Sequence, residues 1–490
     1  MFKKIRHINY PMLLRVLGWL ILIESGFMLA PSTVALVYGE ADLTGFTIAT
    51  ITALLSGLGL TLLIRPSKND MGRHEGFLLT ASVWIVFSLF GMIPFTLSET
   101  PLSVSDAFFE SMSGFTTTGC SAYESVEGLS HSIALWRSLM QWIGGMGIIL
   151  FTLAVLPMLN YSGGMQMFNA EVTGITHEKL RPRISSTAKT LWGIYIGLTV
   201  ALIGLLWLGP MDFFDSICHA FSAMSTGGFS THDDSLCFFN SDYSAIVILI
   251  FMFLGGTSFP LIYRMLTGDY KSLWHNDVFR AYLLIIGVFY AAFVASLALE
   301  GEITDWRTAT IYPLFQVVST ITSTGLTVTD FSSWGPFILA LMFVLMFMGA
   351  CAGSTSGGAK IDRMLLLLKS TRNELFKIVH PNAVTNIRVN EKVIPSHIVA
   401  KVIAFLCIYV MVIAIGGIML SAFGMPVIDS FFSAFSCVSN TGYPGEMTGL
   451  AGSFSLIPAS GKWVLSLLML IGRLELFTVL VLFTPDFWKQ

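Results

Sequence analysis

Four short stretches of this 490-residue chain set hydroxyl and small side chains ahead of a glycine at one fixed spacing. They are Ser113 to Gly119 (SGFTTTG), Ser222 to Gly228 (SAMSTGG), Ser319 to Gly325 (STITSTG) and Ser436 to Gly442 (SCVSNTG). In each, a Ser stands six residues before the Gly. Glycine allows positive φ, so the chain can turn its carbonyls inward. The Ser, Thr and Asn ahead of it can hydrogen-bond around the loop and hold it. Four such loops on one axis would present a ring of carbonyl oxygens, and such a ring replaces the hydration shell of a monovalent cation. A single TTG reads as a turn at a helix end, whereas four copies with matched flanks read as an internal repeat.

Other chemistry finds no support. No nucleophile has an adjacent base, and no His/Glu set lies on one helix face. The stretch GGMQMFNAE (163 to 171) lacks a Gly-x-x-x-x-Gly-Lys pattern, so no nucleotide site is expected and no organic cofactor is required. The six Cys show no CxxC or Cys/His spacing, which argues against a metal or disulfide framework. His219 reads as a packing residue rather than a ligand. Glu24, alone in the first apolar segment, reads as a helix-packing or interfacial carboxylate more readily than as part of a proton path.

The elements that must hold the four loops are membrane helices. Hydrophobic residues are 54% of the chain and charged residues 12%, about half the charged share of soluble domains. Net charge is −3, so nothing points to nucleic acid. The basic residues at the N-terminus precede an apolar run with no small-residue cleavage site, which predicts a retained helix. Spans of about 20 apolar residues are predicted at 11 to 30 and 43 to 64, ahead of the first loop.

Four units follow, each an apolar helix, a short aromatic segment, the Ser-to-Gly loop and a second apolar helix. The predicted pieces are 76 to 96, 105 to 118 and 135 to 158; then 188 to 208, 213 to 226 and 244 to 266. The third unit uses 279 to 299, 308 to 323 and 335 onward; the fourth uses 398 to 422, 428 to 440 and 463 to 484. The short segments, at about ten to thirteen residues, are re-entrant half-helices. The expected fold is an all-α integral membrane protein, four pseudo-symmetric helix, pore-helix, helix repeats around one pore plus two N-terminal helices. Its divisions fall at 1–70, 71–180, 181–275, 276–390 and 391–490.

Charge placement gives a sidedness. Segments 1 to 10, 65 to 75, 161 to 189, 264 to 280 and 360 to 401 hold 21 of the 27 basic residues and share one face of this map. That face is predicted to be cytoplasmic, with the N-terminus. The other face carries Arg137, Arg307 and Lys462, together with Glu99, Asp106, Glu110, Asp212, Asp215, Asp233, Asp234, Glu300, Asp330 and Asp429.

Below the loops the repeats diverge. Gly144-Gly145, Gly255-Gly256, Gly349-Ala350 and Gly472-Arg473 fall at similar distances past their loops, so a large cation stands where the other units have Gly or Ala. Two readings stay open: a pore-facing Arg473 that repels cations, or an Arg paired with Glu475 or snorkelling. The third unit's apolar run, 336 to 348, is too short to span. It runs into Gly349-Ala350-Cys351-Ala352-Gly353-Ser354 and Thr355-Ser356-Gly357-Gly358-Ala359-Lys360, which reads as a flexible loop at membrane depth.

With SGFTTTG, HAFSAMSTGGFSTHD, GACAGSTSGGAK and GRLELFT in place, the whole chain resembles the Trk/Ktr/HKT superfamily of potassium transporters, and within it the bacterial TrkH/TrkG membrane subunits. The resemblance implies one filter glycine per unit, at Gly119, Gly228, Gly325 and Gly442. Potassium, the permeant ligand, would sit at Thr117 and Thr118, Thr226 and Gly227, Ser323 and Thr324, Asn440 and Thr441. It implies a gate made by 349 to 360 with Arg473, potassium uptake across a bacterial inner membrane, a homodimer in membrane lipid, and cytosolic TrkA-type RCK subunits that bind nucleotide. Glycine in all four loops favours potassium. A symporter coupled to protons or sodium is the alternative, although all four units run in the same direction. Cys120, Ala359 and Tyr443-Pro444 depart from the expected pattern.

Overall fold

The computed structural model describes residues 8–66, 72–147, 184–331, 334–443 and 453–488. The predicted helix end 148 to 158, the basic stretch 161 to 183 with its GGMQMFNAE segment, and Pro444 lie outside the described residues.

Leucine, isoleucine, valine and phenylalanine run almost unbroken through long segments, and a backbone in hydrocarbon must satisfy its own hydrogen bonds, so helix results. Among the described residues six helices are long and apolar enough to cross a membrane, eight if two sharply bent pairs count as one span each. The first two, Tyr10–Tyr38 and Leu43–Leu63, pack on each other where Gly18 and Gly57 remove bulk. A Cβ on Gly57 would stand 2.9 Å from the Gly18 carbonyl oxygen.

The turn between these helices ties them to the first repeat. Glu40 accepts from the backbone amides of His131 (2.7 Å) and Ser132 (3.0 Å), capping the helix that starts there. Burial works to raise the Glu40 pKa, but the hydrogen bonds from Ser132 and His131 outweigh it and hold the carboxyl below its ordinary value.

Four units then follow, each an outer helix, a short helix and an inner helix. The outer helices are Arg73–Gly91, Ile184–Trp207, Asp277–Glu300 and Ser396–Ala422. The short helices are Val104–Phe115, Phe213–Met224, Ile311–Ile321 and Val427–Ser439. Ser103 and Asp212 cap the first two by accepting from the amides of Asp106 and Asp215. Acids in the first turn, Asp106, Asp215 and Asp429, suit the positive end of a helix dipole. The negative ends of these helices meet the four Ser-to-Gly loops.

The inner helices differ from expectation. Predicted as unbroken from 244 to 266 and 463 to 484, those of units 2 and 4 break in the middle. Asp242–Gly255 turns through 105° into Phe259–Leu266, and Ala459–Arg473 turns through 111° into the helical segment ending at Phe483. Pro260 cannot donate to the helix and excludes its continuation through Ser258. In unit 4, Glu475 and Leu476 both take positive φ, which a right-handed helix cannot absorb. Unit 3 stops at Met348 as expected, and Gly349 takes φ 64°. In unit 1 the described inner helix is His131–Gly145.

Candidate ion pathway

All four loops share one backbone solution. The residue two before each glycine is left-handed: Thr117 (φ 54°), Thr226 (54°), Ser323 (53°) and Asn440 (52°). The amide of the next residue reaches back to the carbonyl of the repeated serine, from Thr118 to Ser113 (2.9 Å), Gly227 to Ser222 (2.9 Å), Thr324 to Ser319 (2.8 Å) and Thr441 to Ser436 (3.0 Å). With the shorter bonds Thr117 to Gly114, Thr226 to Ala223, Ser323 to Thr320 and Asn440 to Cys437, this is a Schellman helix end repeated four times. The six-residue Ser-to-Gly spacing is therefore the geometry of the closing bond to the serine carbonyl. Of the serine hydroxyls, Ser319 Oγ donates to the Leu326 carbonyl (2.7 Å). A left-handed Thr or Ser costs about 1–2 kcal/mol where glycine would cost little, so the side chains at these positions need a role.

Three of those side chains bond to neighbouring elements. Thr226 Oγ1 lies 3.2 Å from Thr355 Oγ1, and Ser323 Oγ accepts from the Gly357 amide (2.6 Å). Asn440 Nδ2 donates to Thr118 Oγ1 (2.9 Å) and to the Met469 carbonyl (3.0 Å). Hydroxyl pairs stiffen three loops, Thr116 with Thr118, Thr322 with Thr324 and Ser439 with Thr441.

The four glycines close a cycle. A Cβ on Gly119 would lie 2.3 Å from the Gly227 carbonyl oxygen, one on Gly228 2.1 Å from that of Thr324, one on Gly325 2.4 Å from that of Thr441, and one on Gly442 2.0 Å from that of Thr118. All four take positive φ, between 78° and 87°. Each loop thus lays its glycine against the carbonyl just ahead of the next loop's glycine, and the fourth returns to the first. Gly228, and not Gly227, occupies the place equivalent to the other three. Gly227 has a separate reason: Gln141 Nε2 donates to its carbonyl (2.7 Å), Gln141 Oε1 accepts from the Phe229 amide (3.1 Å), and a Cβ on Gly227 would meet Gln141 Cδ at 2.4 Å. Gln141 lies three residues before Gly144, but no spacing in the sequence singles it out.

Beneath the loops lies the segment 349 to 360, which is hydrogen-bonded to its surroundings at several points. Thr355 donates from its amide (3.2 Å) and hydroxyl (3.1 Å) to the Gly255 carbonyl at the break of the second inner helix. Cys351 donates to the Gly256 carbonyl (3.1 Å), and the Gly353 carbonyl accepts from Phe259 (3.0 Å). Ala359 donates to Phe347, and the Ala350 carbonyl accepts from Ile361. Glycine here serves position: Gly349, Gly353 and Gly358 have positive φ, and a Cβ on Gly357 would stand 2.1 Å from the Ser439 carbonyl oxygen. Ala352 is half-buried, the Ser354 hydroxyl pairs with that of Ser356, and Lys360 Nζ donates to the Ser356 carbonyl (2.5 Å).

Arg473 joins this segment to the first unit. Its guanidinium donates to the carbonyls of Thr355 (2.8 Å), Gly144 (2.6 Å) and Gly145 (3.0 Å). Gly144 and Gly472 occupy matching places, since a Cβ on either would strike the carbonyl of the fourth residue before its own unit's glycine, Phe115 or Val438. Glu475, the expected alternative partner, pairs with Arg363 instead. The sequence showed nothing of that pair, whose members lie 112 residues apart.

On the opposite side of the ring each isolated basic residue meets an acid. Arg137 pairs with Glu110 (2.7 Å, both fully or nearly fully buried), Arg307 with Asp242 (2.9 Å) and Lys462 with Asp106 (2.5 Å). Glu110, expected on an open acidic face, is buried behind the first loop, where it also accepts from the Ala122 amide (2.6 Å). His219 is buried and bonded to the Asp215 carbonyl and Ser230 Oγ, in keeping with a packing role. Glu24 is buried in its helix. Among the described residues no group of three or more His, Cys, Asp or Glu could hold a metal ion.

Four like units enclosing a ring of carbonyls and glycines, with one short hairpin of Arg388–Val389 and Lys392–Val393 beside them, define a mostly helical, multi-pass membrane protein of transport architecture. The chain belongs to the TrkH family: the family described as "TrkH: Cation transport protein" matches residues 43–490. It is 40% identical over 482 residues to the Trk system potassium uptake protein TrkH of Escherichia coli K12, covering 97% of this chain and 99% of that one. It is 31% identical to TrkG of the same organism, with 96% and 97% covered. The crystal structure of the potassium transporter TrkH from Vibrio parahaemolyticus superposes with a TM-score of 0.89 at 35% identity, covering 98% of this chain and all of that one. These relatives form a transporter family rather than an enzyme family.

Proposed function

We propose that this chain is a potassium uptake protein of the bacterial inner membrane, with its N-terminus and basic loops in the cytoplasm. The observation that carries the reading is the closed cycle in which each of Gly119, Gly228, Gly325 and Gly442 abuts a carbonyl of the next loop. Such a ring has no room for a side chain at any glycine, and carbonyl dipoles suit a dehydrated monovalent cation. Potassium sheds water at the carbonyls of Thr117 and Thr118, Thr226 and Gly227, Ser323 and Thr324, Asn440 and Thr441. The ends of four short helices add their negative poles to the same place.

Segment 349 to 360 and Arg473 form the gate. Arg473 holds a positive charge beside the path while clamping Thr355 to the end of the first inner helix. Opening breaks those bonds and withdraws the segment. A cytosolic ring of nucleotide-binding TrkA-type subunits drives this motion from the basic side, and two protomers associate with one pore each. The relatives' names, as parts of a Trk system, support a partnered protein.

The test is ion flux into proteoliposomes, with potassium and sodium compared under an imposed membrane potential. Potassium should pass at least about tenfold faster, the effect of about 1.4 kcal/mol in barrier. Equal passage of sodium, or no passage of either ion, sinks the reading.

A further inference from the structure

Two of the four loops show how the residue after each glycine is braced. Tyr443, following Gly442, sends its hydroxyl to the short helix of unit 3, where it meets Gln316 Nε2 (2.8 Å), Ser319 Oγ (3.2 Å) and Thr320 Oγ1 (3.3 Å). Cys120, following Gly119, reaches the short helix of unit 4, where its Sγ lies 3.8 Å from Cys437 Sγ. The couples are equivalent: Thr320 and Cys437 each stand five residues before their unit's glycine, and each belongs to the unit that precedes the braced loop around the ring. The same positions elsewhere hold Phe229 with Gly114 and Leu326 with Ala223, which offer no polar link. What is a set of hydrogen bonds in one couple is a thiol contact in another.

We propose that Cys120 and Cys437 are a redox modification site, a dithiol whose oxidation to a disulfide staples the first loop to the fourth unit and throttles the ion path. Both thiols are free and fully buried, and 317 residues separate them in sequence. Units 1 and 4 already touch just beyond, where the Phe454 amide donates to the Ser121 carbonyl (2.7 Å). The contact needs to shorten only from 3.8 Å to a bond of about 2.0 Å. In the step, two S–H bonds break and one S–S bond forms. The two protons and two electrons pass to a two-electron oxidant of the azo class, whose N=N bond becomes a hydrazine. The loops lie on the face opposite the basic segments, outside the cytoplasm in the proposed orientation, where disulfides persist. Drawing Cys120 toward unit 4 pulls on Gly119, whose fit against the Gly227 carbonyl tolerates no added atom.

The throttling rests on the filter reading above; the chemistry of the site does not. The experiment treats the full-length protein in proteoliposomes with the azo oxidant diamide, blocks remaining thiols, and maps a non-reduced digest by mass spectrometry beside potassium flux. The expected result is a linked peptide joining Cys120 to Cys437 and a flux lowered by roughly tenfold, about 1.4 kcal/mol in barrier. Dithiothreitol should restore it, and the Cys437→Ser variant should keep its own untreated flux. Absence of the linked peptide overturns the site. A linked peptide with unchanged flux overturns the throttle and counts against the filter reading. Failure of the untreated protein to pass potassium defeats the proposed function while leaving the linkage measurable.

Discussion

Gln141 Nε2 donates a 2.7 Å hydrogen bond to the Gly227 carbonyl, and Gly227 lacks a side chain because the Gln141 amide fills the space. That carbonyl is also the one against which Gly119 closes. Replacing Gln141 by Leu removes the donor and orphans the Phe229 amide, a loss of about 1–3 kcal/mol by the usual cost of unsatisfied buried groups. Potassium over sodium selectivity should fall in a variant that still folds. Potassium and sodium flux in proteoliposomes, beside a detergent melting curve, checks this; unchanged selectivity would make Gln141 a mere packing residue.

Gly442→Ala should lower potassium flux by at least about tenfold, because its Cβ would stand 2.0 Å from the Thr118 carbonyl oxygen on a backbone of φ 78°. Gly193→Ala is the matched control, since no neighbour lies within 4 Å of its Cβ. Uptake of a radioactive potassium substitute by cells expressing each variant measures both. Equal uptake in the two would contradict the ring.

Arg473→Ala should raise flux in the absence of any activating partner, since it removes a charge and three carbonyl contacts together. Arg473→Lys separates these contributions: it keeps the charge but loses the planar fork that spans Thr355 and Gly144. A closed Lys variant would assign the barrier to charge, a leaky one to the clamp. Deleting several residues within 353 to 358 should also leak, and tightly closed Ala and deletion variants would leave the segment without a gating role.

Glu110→Gln should cost about 3–5 kcal/mol of stability, the range for stranding one member of a buried ion pair. Arg137 would keep its stacking on Phe229, 4.2 Å away, but lose the carboxylate. The double replacement Glu110→Leu with Arg137→Met should recover much of the loss. Thermal unfolding in detergent reads the difference, and a neutral single variant would mean that Arg137 finds another anion.

Much of this could be read from residue order. The short helices begin and end within about three residues of their predicted bounds because the Ser103 and Asp212 caps that start two of them, and the Schellman turns that end all four, are local chemistry. The equivalence of Gly472 with Gly144 followed from counting along four copies, whereas the bonds from Arg473 to the Gly144 and Gly145 carbonyls did not. Other features were hidden for physical reasons. The serine spacing points to hydroxyls, whereas the bond it reflects is made by a backbone carbonyl, which every residue has. The break after Gly255 had a local sign in Pro260, but hydropathy averaged it away. Arg363 with Glu475, Gln141 with Gly227 and Tyr443 with Thr320 are tertiary pairs, and a chain with four similar units offers many equally spaced candidates for each.

The closure of Gly442 on Thr118 joins the last wall to the first within one polypeptide. A pore assembled from four identical chains repeats every codon change four times, so a slightly harmful substitution is harmful fourfold. Here a mutation alters one quadrant and leaves three as they were. That arithmetic permits Tyr443 in one quadrant and Cys120 in another; in the filter proposed above, it would let natural variation tune ion preference in finer steps than a homotetramer allows.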